Sequence, residues 1–242
     1  MKLRTWRKIH RYLGVVIGIQ LFFWTLSGVV FSWNSIQAVR GEDLIREHAP
    51  INLKSFEIID CGMVLKNLPS EQRAERVLLR TMLDRPVYEV SLAGSGQPAV
   101  AIFDAVSGKQ LSPIDAETAQ EIAKHDFAFD VAVNQVERVT ETGSHSEYRG
   151  KELPAYRVEM DHPSGTSIYV SESRGAVTTR RNNQWRVFDF FWMLHTMDYQ
   201  GRDNFNQWLL KSVSIFGLVT VVSGFGLWAK TSPIFRRRRK NK

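Results

Sequence analysis

The sequence predicts an α+β domain held between two transmembrane α-helices, the domain being two helix-plus-antiparallel-hairpin units. Three observations lead there. Long uncharged apolar stretches lie near both ends of the 242-residue chain. Basic charge is gathered at the two tips. Between them, a strand pattern starting at Arg85 recurs at Leu153.

The first span follows from the absence of any charge from Tyr12 to Val39, with an apolar core from Leu13 to Phe31. A helix of about 20 residues crosses a hydrocarbon layer of about 30 Å. A cleaved signal peptide fits less well, because its apolar region runs only about 7 to 15 residues and no small-x-small site follows here. The second span reads SVSIFGLVTVVSGFGLWA, Ser212 to Ala229, between Lys211 and Lys230. Trp6 and Trp33 flank the first span, and Trp208 and Trp228 flank the second, as in an interfacial aromatic belt.

Charge sets the orientation. The formal net charge is +7 and the pI is near 9.6. Lys2, Arg4, Arg7, Lys8 and Arg11 lie at one tip, and Lys230, Arg236, Arg237, Arg238, Arg239, Lys240 and Lys242 at the other, so the stretch between them is net acidic. Basic tips beside apolar spans belong on a cytoplasmic membrane face. The RRRRKNK tail is read as a topology and anionic-lipid signal. No helix-turn-helix, zinc-finger or aromatic RNA-binding signature accompanies the basic charge, so nucleic acid is excluded as a partner. A mean hydropathy of −0.23 excludes a many-span transporter.

The resulting organisation is a cytoplasmic tip at 1–11, a first transmembrane helix at 12–33, an external domain at 34–207, a second transmembrane helix at 208–229 and a cytoplasmic tail at 230–242. In a bacterium this places the chain in the inner membrane, with both termini cytoplasmic and the main domain periplasmic. Cys61, the single cysteine, cannot form an internal disulfide and is expected as a small buried hydrophobe.

Within the external domain, RPVYEVSLAGSGQPAVAIFDAVSGKQL and LPAYRVEMDHPSGTSIYVSESRGAV share a Pro-x-Tyr-x-Val start, a polar turn, an apolar-aromatic strand and a glycine turn. Tyr88, Val90 and Leu92, and Tyr156, Val158 and Met160, alternate with period two and predict half-buried strands. Gly94 and Gly96 read as a hairpin turn. Helices are expected from about Asp115 to Lys124 and from about Cys61 to Asn67. The units then run at about 55–125 and 130–180, followed by an aromatic helix at about 184–197.

Paired units of this kind between spans, with HRYLG opening the first span and LHT ahead of the last, make the chain resemble the PepSY-associated transmembrane (PepSY-TM) family. The resemblance covers most of the chain through short motifs. Some four-span relatives are thought to be haem-carrying membrane reductases that release iron from siderophores, and stand-alone PepSY units are thought to bind or inhibit peptidases. It therefore implies either a haem-binding electron-transfer component or a non-catalytic anchored module for a periplasmic peptide, ligand or partner protein.

His10 and His195 carry the first alternative. His10 opens a stripe with Gly14, Gly18, Leu21, Thr25, Gly28 and Ser32, at steps of three and four on one helix face. Packing against another helix explains such a face. Seating a haem b against Gly14 and Gly18, with His10 on the iron, explains it too. Gly217, Thr220 and Gly224 form a small face on the second span. His195 shares a helix face with Phe188, Phe191 and Trp192, expected at the outer interface against the second span. His10 and His195 stand at opposite ends of their spans, roughly 30 Å apart, so one chain cannot give both axial ligands to one haem. A homodimer, or another membrane partner, could complete two stacked sites.

His48, His125, His145 and His162 stand in or near turns and polar loops, and no local spacing marks a zinc site. A CxxCH motif is absent, as are a dinucleotide fingerprint and a Ser-His-Asp signature. Any flavin or nicotinamide would belong to a partner, and no catalytic side chain is assigned.

Overall fold

The computed structural model describes residues 3–69, 71–93 and 99–233. The expected turn at Gly94 and Gly96 and the RRRRKNK tail lie outside these residues. The chain divides into two compact units, Met1–Ser35 with Val187–Lys242, and Ile36–Arg186.

The first unit is helical. α1 runs unbroken from Leu3 to Trp33, and both it and the last helix, Trp208–Thr231, are long and apolar enough to cross a membrane. The two helices run antiparallel, with Trp6 beside Gly226, His10 beside Gly224 and Ile17 beside Gly217. A Cβ on Gly224 would stand 3.2 Å from His10 Cε1, and one on Gly226 would stand 3.2 Å from Trp6. Glycine is therefore what admits these two rings. Lys230 Nζ sits 4.3 Å above the Trp6 ring, a cation–π contact. Val15, Val16, Ile19, Phe22, Leu218, Val222 and Phe225 stay exposed, leaving an apolar outer surface suited to lipid.

The packing seam on α1 differs from the expected small-residue stripe. Residues 10, 17, 20, 24, 27 and 31 make the contacts. Leu21, Thr25, Gly28 and Ser32 are exposed, and a Cβ on Gly14, Gly18 or Gly28 would meet nothing within 4 Å. Bulky seam residues bury more apolar area than glycine can, so they take the helix contact and rotate the glycines away from it. The small face of the last helix, conversely, is filled by α1.

The second unit begins with α2, Ile36–Arg40, and α3, Cys61–Lys66, which Asp60 caps through Gly62 N at 2.7 Å. β1 (Arg73–Met82), β2 (Arg85–Ala93) and β3 (Ala99–Asp104) form an antiparallel sheet in that order. α4, Ala116–Asp126, is capped by Asp115 and precedes a second sheet, β4 (Val133–Val139), β5 (Ala155–Met160), β6 (Ser167–Ser171) and β7 (Ala176–Arg181). Helix followed by antiparallel strands thus occurs twice. Tyr88 pairs with Phe103 in the first sheet, and Tyr156 with Val170 in the second.

β2 departs from the expected half-buried alternation, since Val87, Glu89 and Ser91 are buried as well as Tyr88, Val90 and Leu92. A buried ion network covers its second face. Glu89 accepts from Arg80 at 2.8 Å and from Arg174 at 2.7 Å, and Arg174 reaches Glu152 at 2.9 Å. Arg174 lies in the β6–β7 turn, so these pairs hold the two sheets together. Next to it Gly175 has φ +50°, and a Cβ there would stand 2.7 Å from Met82 Sδ. Cys61 is exposed at the start of α3, contrary to expectation, because Val64 takes the core-facing seat of that one-turn helix. His125 lies in the last turn of α4.

α5, Asn183–Thr196, crosses from the second unit into the first, and α6 is the second long helix, Trp208–Thr231.

Candidate functional site

α1 gathers the two histidines singled out from the sequence, at two separate levels. Seventeen residues of α1 separate position 10 from position 27, where His195 docks. That is a rise of about 25 Å at 1.5 Å per residue.

At the first level His10 Nδ1 lies 2.7 Å from Ser223 Oγ on α6. At the second, His195 Nδ1 lies 2.8 Å from Ser27 Oγ on α1. The proton positions follow from counting donors. The Ser223 hydroxyl donates to the Thr220 carbonyl at 2.8 Å, and the Ser27 hydroxyl to the Trp24 carbonyl at 2.9 Å. A hydroxyl has one hydrogen, and with that hydrogen on the carbonyl each serine oxygen accepts from its histidine. That arrangement puts the hydrogen on Nδ1 of each ring and leaves Nε2 outside the serine bond. Among the described residues, neither Nε2 makes a hydrogen bond.

The surroundings of the two rings differ. His10 is half-buried against the glycine backbone of α6. His195 sits among rings, with Phe31 at 5.6 Å and Trp24 at 6.3 Å between centroids. Phe188 and Trp192 complete the cluster through Phe31, at 4.6 and 6.0 Å. The aromatic face of α5 is thus packed on the first span, not on the second as expected, and Phe191 contacts Phe190 instead. The end of α5 is capped by α1 side chains. Trp24 Nε1 donates to the His195 carbonyl at 2.8 Å, and Gln20 Nε2 to that of Leu194 at 3.1 Å. Terminal helix carbonyls need such partners where water is scarce.

Two imidazoles, each hydrogen-bonded at Nδ1 and each with Nε2 outside that bond, make a donor set that fits haem iron or another metal taking nitrogen ligands. One chain provides one such nitrogen per level. A Cβ on Gly14 or Gly18 would meet nothing within 4 Å, whereas one on Gly224 would stand 3.7 Å from His10 Nε2.

Ser27 and Ser223, which fix both tautomers, escaped the sequence reading. Neither serine is near its histidine in the chain, and only the register between helices joins them. The second unit adds a cleft of about 570 Å³, lined among others by Arg80, Met82, Asp84, His125 and Arg180. Of the remaining histidines, His162 stacks on Phe129 at 4.7 Å and bonds Ser164 at 2.8 Å, as a packed residue does.

A family model described as the PepSY-associated TM region matches residues 1–230. No curated protein and no solved structure matches the chain.

Proposed function

The chain belongs to the PepSY-associated transmembrane family and is a membrane protein, and from that premise we propose that it is a haem b-binding electron-transfer component of the bacterial inner membrane. The observation that carries this reading is the serine partner that His10 and His195 each have at Nδ1, which leaves Nε2 of each ring outside that bond at two separate levels. Haem bound there would supply one-electron redox chemistry near each membrane face. His10 and His195 would hold the iron, with Ser223 and Ser27 fixing ring orientation and raising imidazole basicity. Trp24, Phe31 and Trp192 would keep water from the His195 level. Because each chain offers one imidazole per level, a second copy related by an axis along the membrane normal would give the other. The uncovered face at Gly14, Gly18 and Gly28 suits that close approach. With both basic tips cytoplasmic and the sheet domain periplasmic, such a pair would serve reduction of an external acceptor such as a ferric siderophore.

The test is haem content per chain in detergent-purified protein from haem-replete cells, beside the double variant His10→Ala/His195→Ala. The reading expects as many haems as chains in the wild type and none in the double variant. A colourless wild type overturns it. The second reading, an anchored module that binds a periplasmic ligand, is favoured by the cleft in the external unit. It expects ligand binding to survive the double variant unchanged.

A further inference from the structure

Three side chains far apart in sequence meet at the cleft of the external unit. Segment 44–46 pairs with 126–128 through Arg46 N to the Asp126 carbonyl at 2.8 Å and Ala128 N to the Leu44 carbonyl at 2.9 Å. This pairing carries His48 to the end of α4, where its ring stacks on that of His125 with centroids 3.9 Å apart and planes 6° apart. His48 Nε2 lies 2.9 Å from the His125 carbonyl. The β1–β2 turn brings Asp84, whose Oδ2 is 3.0 Å from His125 Nε2. One ligand atom from each of His48, Asp84 and His125 lies within 4.8 Å of the others.

We infer that His48, Asp84 and His125 form a binding site for a divalent transition-metal ion of the zinc type, facing the external cleft. Donor chemistry selects the class of ion. Two imidazole nitrogens and one carboxylate oxygen suit zinc and its first-row neighbours, whereas magnesium and calcium prefer all-oxygen shells. Three protein ligands leave a coordination position open toward the cleft, where a ligand or water would complete the shell.

The neighbouring charges do not fill the site. Arg180 is committed to Asp126 at 2.6 Å, Arg80 to Glu89 at 2.8 Å, and Arg46 to Asp130. The turn is shaped around its acid as well. Leu83 and Asp84 take φ of 48° and 61°, left-handed values that aspartate, asparagine and histidine tolerate better than most residues. The site is independent of the membrane histidines, and its loss would leave the haem reading untouched.

The test uses the full-length chain in detergent, stripped with chelator and dialysed against buffered zinc, with bound zinc measured by elemental analysis. The wild type is expected to take up one zinc ion per chain beyond the solvent level. His48→Gln, His125→Gln and Asp84→Asn should each weaken uptake by about tenfold or more, since even outer-shell partners matter by 10–100-fold. Asp84→His, which keeps both a ligand and left-handed tolerance, should retain it, as should His145→Gln at an exposed loop position. No uptake by the wild type, or equal uptake by all five variants, would overturn the assignment and leave a ring stack with an ion pair.

Discussion

The His10 and His195 levels share one hydrogen-bond pattern in two different settings. Each imidazole Nδ1 is hydrogen-bonded to a serine whose hydroxyl also reaches a carbonyl one helical turn back. Around that pattern, His10 has a glycine backbone and open space on its own helix, while His195 has four aromatic side chains. The shared part fixes which nitrogen is available; the differing part decides how each level responds to change. Packing dominates at the His195 level and room dominates at the His10 level.

The strongest way to break the comparison is to remove one imidazole at a time. His10→Ala and His195→Ala should each lose about half of the bound haem, read from the Soret absorbance per chain. Complete loss in either single variant would show that the levels are not separate.

Next come the serines. Ser223→Ala and Ser27→Ala free the ring to rotate and exchange tautomers, and each should weaken haem retention at its own level by about 10–100-fold, as expected for an outer-shell partner. Competition with an apo-haem acceptor measures this. The Ser27 effect should be the smaller, because the aromatic cluster still holds the His195 ring.

Glycines sharpen the contrast further. Gly224→Leu forces a side chain into the His10 ring and should destabilise the α1–α6 contact by about 1–3 kcal/mol. A Cβ at Gly14 meets nothing within 4 Å, so Gly14→Ala should leave the α1–α6 contact intact while reducing association of two copies. Thermal unfolding and light scattering in detergent separate the two outcomes.

The smallest effect is expected at Asp198, in the loop between α5 and α6. Burial pushes its carboxyl upward, but the backbone N–H groups of Asn204, at 2.9 Å, and Gly201, at 3.0 Å, outweigh this and hold it below the usual range. A lowered folded-state value contributes stability above the unfolded value of about 3.9, and this is lost as pH falls through the folded value. Hydrogen exchange in the loop should therefore rise in the wild type below about pH 4, whereas Asp198→Asn should show no such dependence.

Much of the fold was legible in the sequence because its signals are local. Uncharged runs gave both long helices, Asp115 marked the start of α4, and the repeated Tyr-x-Val strands marked β2 and β5. The faces were less legible. The glycine stripe on α1 has helical spacing, yet bulkier side chains from Ile17 to Phe31 took the contact, a choice that depends on the partner surface. Glu89 looked like a solvent residue on an alternating strand, and only Arg174, far along the chain, explains its burial. His10 and His195 stood out by position at the span ends. Ser27, Ser223 and the meeting of His48 with Asp84 and His125 did not, since each rests on register between elements distant in sequence.

The most direct test of two distinct imidazole levels is a potentiometric titration of the visible haem spectrum, in the wild type and in the two single histidine variants. The account predicts two one-electron components in the wild type, one missing in His10→Ala and the other in His195→Ala. A single component in the wild type, or the same pair surviving in both variants, would contradict it.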